Sequence, residues 1–384
     1  MSSAAGAADL AEVATFALTD ATRVADVTAL RTRFGDRVPA LVETTLLRRR
    51  AAAKLGESAA EHWLFTDDAL QQASAAPVAR HRAQRIATAA PGAAVHDVTC
   101  SIGTECVALS EVMAPVLGSD IDPIRLAMAR HNLGERAGLV RADALHPVSR
   151  DTVVVADPGR RSGGRRRFDP ADYQPALDRL LDVYLDRDLV VKCAPGIDFD
   201  QIGRLGFHGE IELTSWRGSV REACLWSPRL TEPGVRRRAV ILDRDEQLTD
   251  ADPDDCDVAP VGRWIVDPDG AVVRAGLVRH YAARYGLWQL DPDIAYLSGD
   301  TLPVGVRGFE VLEQLPYSEK RLRQALVAAD CGACEILVRG VNADPDVLRR
   351  RLRLRGSASL SVVLTRIGTA AAARAIAFVC RPSH

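Results

Sequence analysis

The segment VHDVTCSIGTECVALSEVMAPVLGSDIDP, from Val95 to Pro123, restricts the possible folds more than any other part of the chain. A β-branched, apolar run ends at Asp97, and a turn-prone stretch and a helical pattern of small residues follow it. A second strand-like run ends in the acids Asp120 and Asp122. This order of strand, tight loop, helix and strand predicts an α/β fold with a mainly parallel, doubly wound sheet, in which ligands bind at the carboxyl ends of the strands.

The loop between the two strands has the features of a nucleoside site. Gly103 can adopt a positive φ, so that the backbone can approach a ligand closely. Asp120 follows it by 17 residues, near the spacing of about 20 residues at which an acid accepts hydrogen bonds from ribose hydroxyls. The local sequence therefore predicts a ligand that contains a nucleoside.

The composition of the 384-residue chain fits a folded protein of two or three domains, because 47% of its residues are apolar. It has no run of about 18 apolar residues and no signal peptide pattern, so we expect a cytoplasmic protein without a membrane span. The eight cysteines are scattered through apolar segments, which is typical of reduced thiols. Cys331 and Cys334 lack a second ligand pair, so no metal site is predicted.

Changes in sequence pattern divide the chain into four predicted parts. Residues 1–75 have apolar residues at helical spacing and predict a helical N-terminal domain. Residues 76–230 alternate between strand and helix patterns and predict the α/β sheet. Residues 231–307 predict a connecting α+β segment, and residues 308–384 predict a compact C-terminal α+β domain.

Within the second part, the alternation is regular enough to place individual elements. The strand candidates are 94–98, 116–120, 138–141, 152–156, 188–193, 210–216 and 221–226. The helix candidates are 104–113, 123–133, 172–185 and 198–205. The last two strands lie close together in the chain, so they predict an antiparallel hairpin at the edge of the sheet.

Four segments within residues 61–192 together resemble the class I S-adenosylmethionine-dependent methyltransferases, and most closely the trimethylguanosine-synthase type of RNA methyltransferases. The family's D-x-F-C-G-x-G-G-N loop corresponds to residues 97–105, and its D-I-D-P to residues 120–123. The acid that follows its third strand corresponds to Asp143, and its upstream T-P-E segment to residues 65–68. The resemblance implies a Rossmann-like class I methyltransferase sheet and S-adenosyl-L-methionine as the cofactor.

The same resemblance implies a set of cofactor-binding residues. They are Thr66, Asp97, Thr99, Cys100, Ile102, Gly103, Glu105, Asp120, Ile121, Asp122, Asp143 and Ala144. Asp97 would face the ammonium group of the cofactor, Asp120 the ribose hydroxyls and Asp143 the adenine amino group. Four of these residues have structural alternatives: Thr66 and Asp122 as helix caps, Glu105 as an acid in the first turn of a helix, and Asp143 as a turn residue.

The segment after the fourth strand, DPGRRSGGRRRFDPADY, is where amino-methylating members of the class carry [D/N/S]-P-P-[aromatic]. The resemblance therefore implies catalytic positions for Asp157, Pro158 and Arg160, although Gly159 and Arg160 replace the second proline and the aromatic residue. This departure leaves the methylated atom open. Phe168 or Tyr173 could supply the missing ring, or either could be a core residue.

Five arginines lie within the eight residues RRSGGRRR, around two glycines. Such a loop can follow a phosphate backbone. The predicted substrate-binding residues are Arg161, Arg165, Arg166, Arg167, Phe168 and Lys192. A structural ion pair is the alternative for Lys192. A second arginine run, residues 349–355, could extend an RNA-binding surface or could belong to an exposed helix.

Residues 308–384 resemble the THUMP-like domain that accompanies some bacterial methyltransferases. The sequence thus predicts a cytoplasmic S-adenosylmethionine-dependent methyltransferase that acts on RNA. Two alternatives stay open at this point: a methyltransferase for a small molecule or a protein, and a non-catalytic RNA-binding protein with a degenerate methyltransferase fold.

Overall fold

A computed structural model describes residues 3–159, 161–162, 165–166, 172–368 and 373–383, with only the backbone described at 161–162, at 165–166 and at Ser58. The chain divides into two compact units. The first comprises Met1–Ile211 and Arg221–Pro233, and the second comprises Glu212–Val220 and Gly234–His384. The four-part division expected from the sequence stays a prediction.

The first unit begins with helices that cover the predicted helical region. They are α1 (Ala4–Ala14), α2 (Arg23–Phe34), α3 (Val38–Leu55), α4 (Glu57–His62) and α5 (Asp67–Gln72). Hydroxyl caps set two of the N-termini, because Ser3 accepts a hydrogen bond from the Gly6 N–H and Thr66 accepts one from the Ala69 N–H. The apolar faces of α1, α2 and α3 bury Leu10 together with its neighbours in one core cluster.

The α/β part of this unit follows the predicted alternation closely. Its helices are α6 (Ala76–Ala89), α7 (Thr104–Ser110), α8 (Pro123–Leu133), α9 (Leu177–Tyr184) and α10 (Phe199–Arg204). Its strands are β1 (Ala94–Asp97), β2 (Val116–Asp120), β3 (Gly138–Arg141), β4 (Thr152–Ala156), β5 (Arg161–Ser162), β6 (Arg165–Arg166), β7 (Leu189–Cys193), β8 (Glu210–Trp216) and β9 (Ser219–Trp226). Residues Glu212–Val220, which are most of β8 and the start of β9, belong to the second unit.

The strand order β9-β7-β4-β1-β2-β3 places a ligand crevice at the centre of the sheet. The pairs from β7 to β3 are parallel, and β9 is antiparallel to β7. Along the chain β4 follows β3, yet it pairs with β1 on the opposite side. The order in which successive strands are added therefore reverses between β1 and β4, and ligands bind in open α/β sheets at such a point. The predicted α/β class is confirmed.

The start of α9 differs from the prediction. The pattern predicted a helix over 172–185, but the helix begins at Leu177. Gln174 is extended and exchanges backbone hydrogen bonds with Gly159 at 2.8 and 2.9 Å. It also precedes Pro175, and a residue before proline avoids the helical region. The extended segment brings Gln174 and Pro175 to the wall of the central crevice.

The second unit contains a seven-stranded sheet with the order β13-β14-β12-β15-β18-β17-β16. The strands of this unit that follow β9 in the chain are β10 (Arg237–Ile241), β11 (Glu246–Thr249), β12 (Trp264–Val266), β13 (Trp288–Asp291), β14 (Ile294–Gly299), β15 (Gly308–Pro316), β16 (Cys331–Arg339), β17 (Ala358–Ile367) and β18 (Arg374–Pro382). The seven-stranded sheet contains β12 to β18. Its helices are α11 (Gly270–Ala275), α12 (Val278–Tyr285), α13 (Glu319–Ala328) and α14 (Pro345–Leu352). Leucines of α13 and α14 pack in one cluster with the sheet. In the described part of the chain, no helix is long and apolar enough to cross a membrane.

Candidate active site

A cavity of about 440 Å³ opens at the carboxyl ends of β1, β2, β4 and β7. The sequence predicted many of the residues that line it: Asp97, Thr99, Cys100, Glu105, Asp120, Ile121, Asp143, Ala144, Asp157 and Lys192. It did not predict others in the same wall: Asp68, Gln72, Ser74, Ser101, Arg125 and Gln174. The acids that follow β1, β2, β3 and β4 therefore share one cleft.

Asp97 is a buried carboxylate at the end of β1. One of its oxygens accepts a hydrogen bond from the backbone N–H of Thr99 at 3.1 Å. Burial, and then the nearby carboxylate of Glu105, raise the pKa of Asp97 to about 8. The Oε1 atom of Glu105 is itself buried without a hydrogen-bond partner. A cation bound beside Asp97 would favour the charged form of this carboxyl, and the free Oε1 atom of Glu105 could accept a hydrogen bond from it.

The loop after β1 is held against the end of β2 through Asp120. The backbone N–H groups of Ser101 and Asp122 donate to the two oxygens of Asp120, at 2.9 and 2.8 Å. Ser101 has a φ of 49°, which is uncommon for a residue other than glycine. Its buried hydroxyl oxygen has no hydrogen-bond partner. An unsatisfied hydroxyl beside a carboxylate is suited to a hydroxyl-bearing ligand such as a ribose.

Gly103 gives the loop its tight turn into α7. Its φ of 87° lies in the left-handed region, and a Cβ there would come within 2.7 Å of Leu133 Cδ1. Only glycine satisfies both the conformation and the space. Gly103 and Ile102 support the cavity from behind, and Ile102 is buried in the core cluster that includes Trp63.

Three further predicted residues do not line the cavity. Thr66 and Asp122 are the N-caps of α5 and α8, as their structural alternatives proposed. Asp122 accepts from the Ile124 N–H at 2.7 Å, which directs its carboxylate to the helix. Pro158 follows Asp157 but is not part of the cavity wall.

The far side of the cavity, beyond β2, is formed by Asp143 and its neighbours. Asp143 is half-exposed, and it accepts a hydrogen bond from the Leu145 N–H at 2.9 Å. Tyr184 fixes the next residue, because its hydroxyl donates to the carbonyl oxygen of Ala144 at 2.7 Å. This wall therefore combines the Asp143 carboxylate with the apolar residues Ala144 and Leu145, which suit the amino group and the ring of an adenine.

Asp157 and Lys192 form an ion pair at the ends of β4 and β7, and the Lys192 side chain is buried. The Asp157 N–H donates to Thr99 Oγ1 at 2.6 Å, which ties this end of the cavity to the loop after β1. Burial lowers the pKa of Lys192, but the negative charges of Asp157, Glu222 and Glu105 together outweigh burial, so the pKa is raised. Lys192 is a cation at neutral pH.

A buried cluster of charges lies beneath the cavity, and the sequence analysis missed it. Arg82 of α6 forms ion pairs with Glu105 and with Glu222 of β9, and all three side chains are buried. The signal was present in α6, where Arg82 stands four residues from both Val78 and Ile86, on the face that enters the core. The partner Glu222 is 140 residues away, which local patterns do not connect.

Most of the predicted arginine-rich loop lies outside the residues that the structure describes. Arg160, Arg167 and Phe168 lie outside them, as do the side chains of Arg161, Arg165 and Arg166. The backbone of β5 pairs with that of β6 in an antiparallel arrangement. Tyr173, the alternative to Phe168, is buried, and its hydroxyl accepts from the Ala194 N–H at 3.1 Å. It is a core residue and not a stacking ring.

The second arginine run lies at the end of α14 and beyond it. Arg349 donates to Asp346 at 2.6 Å, and Arg351 donates to Glu319 at 3.0 Å. Cys331 and Cys334 are buried thiols. Among the residues that the structure describes, no group of three or more His, Cys, Asp or Glu side chains could hold a metal ion.

The site fits S-adenosylmethionine along its length. Asp97 and the unpartnered Oε1 atom of Glu105 can accept from an ammonium group at one end, and the unpartnered Ser101 hydroxyl lies beside Asp120 in the middle. Asp143 and Ala144 form the other end. A Rossmann-like sheet whose strand tips present these groups in this order defines a class I methyltransferase.

Comparison with known proteins agrees with this assignment. The chain is 68% identical over 362 residues to an uncharacterized S-adenosylmethionine-dependent methyltransferase of Mycobacterium tuberculosis strain CDC 1551 / Oshkosh, covering 92% of this chain and 100% of the relative. A protein of the same description from a second strain of that species matches equally well. Residues 306–382 match the family described as THUMP domain-like.

A crystal structure of a proposed methyltransferase from Porphyromonas gingivalis has a similar fold. Its TM-score is 0.72 at 18% sequence identity, with 91% of each chain covered. The chain belongs to the S-adenosylmethionine-dependent methyltransferases and carries a THUMP-like domain. It is an enzyme that uses S-adenosylmethionine as its cofactor.

Proposed function

We propose that this methyltransferase modifies RNA. The observation that carries the proposal is the THUMP-like domain at residues 306–382, since a domain of this type suggests RNA binding. The arginine-rich loop, residues 160–167, adds support because it follows β4 at the edge where the substrate must enter. Arg350, Arg353 and Arg355 are exposed on the THUMP-like domain and could extend the contact with phosphates.

In the proposed cofactor complex, each strand tip has one task. Asp97 and Glu105 bind the ammonium of the amino-acid end, Asp120 and Ser101 bind the ribose hydroxyls, and Asp143 accepts a hydrogen bond from the adenine amino group. When it is bound, the cofactor supplies a methyl group attached to a positively charged sulfur. The protein supplies position and orientation.

We propose that the protein shares two features with the trimethylguanosine-synthase type: the cofactor half of the site and RNA as the substrate class. It does not extend to the acceptor half. There, Gly159 stands where amino-methylating enzymes of the class carry a second proline, and Arg160 stands where they carry an aromatic residue. The methylated atom is therefore not carried over from that type.

A labelling experiment tests the proposal. Purified enzyme is incubated with cofactor carrying a radioactive methyl group and with total RNA from a strain that lacks the gene. We expect label that ribonuclease releases and protease does not, and less label with the Asp120→Ala variant at a cofactor concentration below the wild-type Kd. Label in protein or in small molecules, with RNA unlabelled, would show that the substrate class is different.

A matched pair of triple variants tests the arginine-rich loop. Arg165, Arg166 and Arg167 changed to alanine should lower RNA affinity and reduce the slope of its salt dependence by about 2, with cofactor affinity unchanged. The control changes Arg23, Arg33 and Arg37, which are exposed and ion-paired on α2 and just beyond it. The control loses the same charge, so an equal effect on RNA binding would argue against a specific role of the loop.

A further inference from the structure

The order of the strand tips separates a cofactor half from an acceptor half. The groups proposed for adenine, ribose and ammonium follow β3, β2 and β1, in that order across the sheet. The next tips in the same direction are those of β4 and β7, which carry Asp157 and Lys192. The methyl acceptor must therefore be received beside this ion pair.

The ion pair between Lys192 and Asp157 is part of the cavity wall and has buried charges near it. Lys192 is a buried cation, and Asp157 is partly exposed to the cavity, with 27% of its side chain accessible. Glu222 and Arg82 lie close enough to Lys192 to shift its pKa. Ser74, in the cavity wall, is within 3.5 Å of both Glu222 and Arg82. Asp157 is the contact that fixes the position of the ammonium group, and the buried cluster acts on Lys192 through its charge.

The charge of Lys192 discriminates between kinds of acceptor. An amino nitrogen becomes more positive as it gains a methyl group, so a neighbouring ammonium raises the energy of that transition state. A hydroxyl oxygen becomes more negative as its proton leaves, so the same ammonium lowers the energy. A lysine and a carboxylate side by side are therefore suited to a hydroxyl acceptor.

We propose that the methyl acceptor is a hydroxyl, the 2′-hydroxyl of an RNA ribose, and that Lys192 and Asp157 are the catalytic residues that act on it. The acceptor oxygen forms a bond to the methyl carbon as the carbon–sulfur bond breaks, with that electron pair staying on sulfur. The hydroxyl proton passes to the carboxylate of Asp157 and from there to water in the cavity. Lys192 donates a hydrogen bond to the acceptor oxygen and stabilises its developing negative charge.

The hydroxyl acceptor rests on the proposed function, in which RNA is the substrate. One product analysis tests the acceptor and the substrate separately. RNA labelled by the wild-type enzyme is digested to nucleosides and resolved by chromatography and mass spectrometry. A 2′-O-methylnucleoside supports both proposals. A base-methylated nucleoside keeps RNA as the substrate and overturns the hydroxyl acceptor, whereas unlabelled RNA removes the proposed function itself.

Variants of the pair test the two residues. Lys192→Met and Asp157→Asn should each lower kcat by about 100-fold or more, while KM for RNA stays within about threefold. Lys192→Arg keeps the charge and should retain at least about tenfold more activity than Lys192→Met. A Lys192→Met enzyme with wild-type kcat would overturn the role of Lys192.

Cofactor binding gives a readout that does not depend on turnover. Lys192 repels the positive sulfur of S-adenosylmethionine but not the neutral sulfur of S-adenosylhomocysteine. Lys192→Met should therefore raise the ratio of the two affinities, measured by calorimetry, by about threefold or more. An unchanged ratio would place Lys192 away from the reacting methyl group. If Lys192→Met binds neither compound, the Asp157→Asn variant and the product analysis decide.

Discussion

Removal of Arg82 provides a direct test of the buried charge cluster. Arg82 is 1% exposed, and its partners Glu105 and Glu222 are 7% and 5% exposed. The Arg82→Met variant keeps most of the side-chain volume but leaves two buried carboxylates without their shared cation. Breaking a buried ion pair in this way costs about 3–5 kcal/mol. For a unit of this size, that loss lowers Tm by about 6–20 °C.

The loss of stability in Arg82→Met should depend on pH, and the surroundings of Glu222 determine whether it grows or shrinks as pH rises. Burial opposes the charge of Glu222, but the positive charges of Arg82 and Lys192, with the hydrogen bond from Arg82, together overcome burial and lower the pKa. In the wild type this stabilisation is complete above the unfolded pKa and is lost as pH falls through the folded pKa. In Arg82→Met, the buried carboxyl group of Glu222 should instead hold a proton that the unfolded chain releases above about pH 4.5, at a cost of about 1.4 kcal/mol per pH unit.

Thermal unfolding of wild type, Arg82→Met and Arg80→Met at pH 5, 6.5 and 8 measures this effect. Arg80 is the control because it lies on the same helix, is 61% exposed and pairs with Glu111 at 3.5 Å. Its variant should stay within about 0.5 kcal/mol of wild type at every pH. The deficit of Arg82→Met should widen from pH 5 to pH 8. A constant deficit, or one equal to that of Arg80→Met, would refute a charged cluster.

Four further substitutions test the cofactor half. Asp120→Ala should weaken S-adenosylmethionine binding by about tenfold or more in calorimetry, whereas Asp122→Ala should cost about 1 kcal/mol of stability through the lost helix cap and leave affinity nearly unchanged. The pKa of Asp97 is raised from 3.8 to about 8, so the folded protein loses stability as pH rises between those values. Asp97→Asn should therefore raise Tm at pH 8 and weaken cofactor binding; a lower Tm would contradict the raised pKa. Gly103→Ala should lose about 1–3 kcal/mol in denaturant unfolding, since its φ and its contact with Leu133 both oppose a Cβ.

The sheet and the cofactor loop could be predicted because their signals are local. The predicted strands 116–120, 138–141 and 152–156 match β2, β3 and β4 residue for residue. Their apolar runs end in turn residues, and parallel strands bring the ends of neighbouring runs to one edge. The positions of Asp97 and Asp120 in one cavity follow from that edge alone.

The acceptor half could not be derived in the same way, because its geometry depends on distant pairs. Lys192 meets Asp157 across 35 residues, and Arg82 meets Glu222 across 140. No periodicity links these positions. The sequence leaves Lys192 open as a structural ion-pair partner or a functional residue. The structure shows the ion pair within the cavity wall, where the two roles are compatible.

The cluster beneath the cavity is costly if it serves stability alone. Well-packed apolar residues in place of a buried ion pair are often neutral or stabilising, and the helix that carries Arg82 already packs Val78 and Ile86 into the core. Arg82 and Lys192 together face the carboxylates of Glu105, Glu222, Asp157 and Asp97, so carboxylates outnumber cations. Burial is the main reason that the pKa of Asp97 is raised, and the negative charge of Glu105 adds to the rise. A bound cation reduces this excess of negative charge. Cofactor binding therefore returns part of the free energy that the burial of these charges costs during folding.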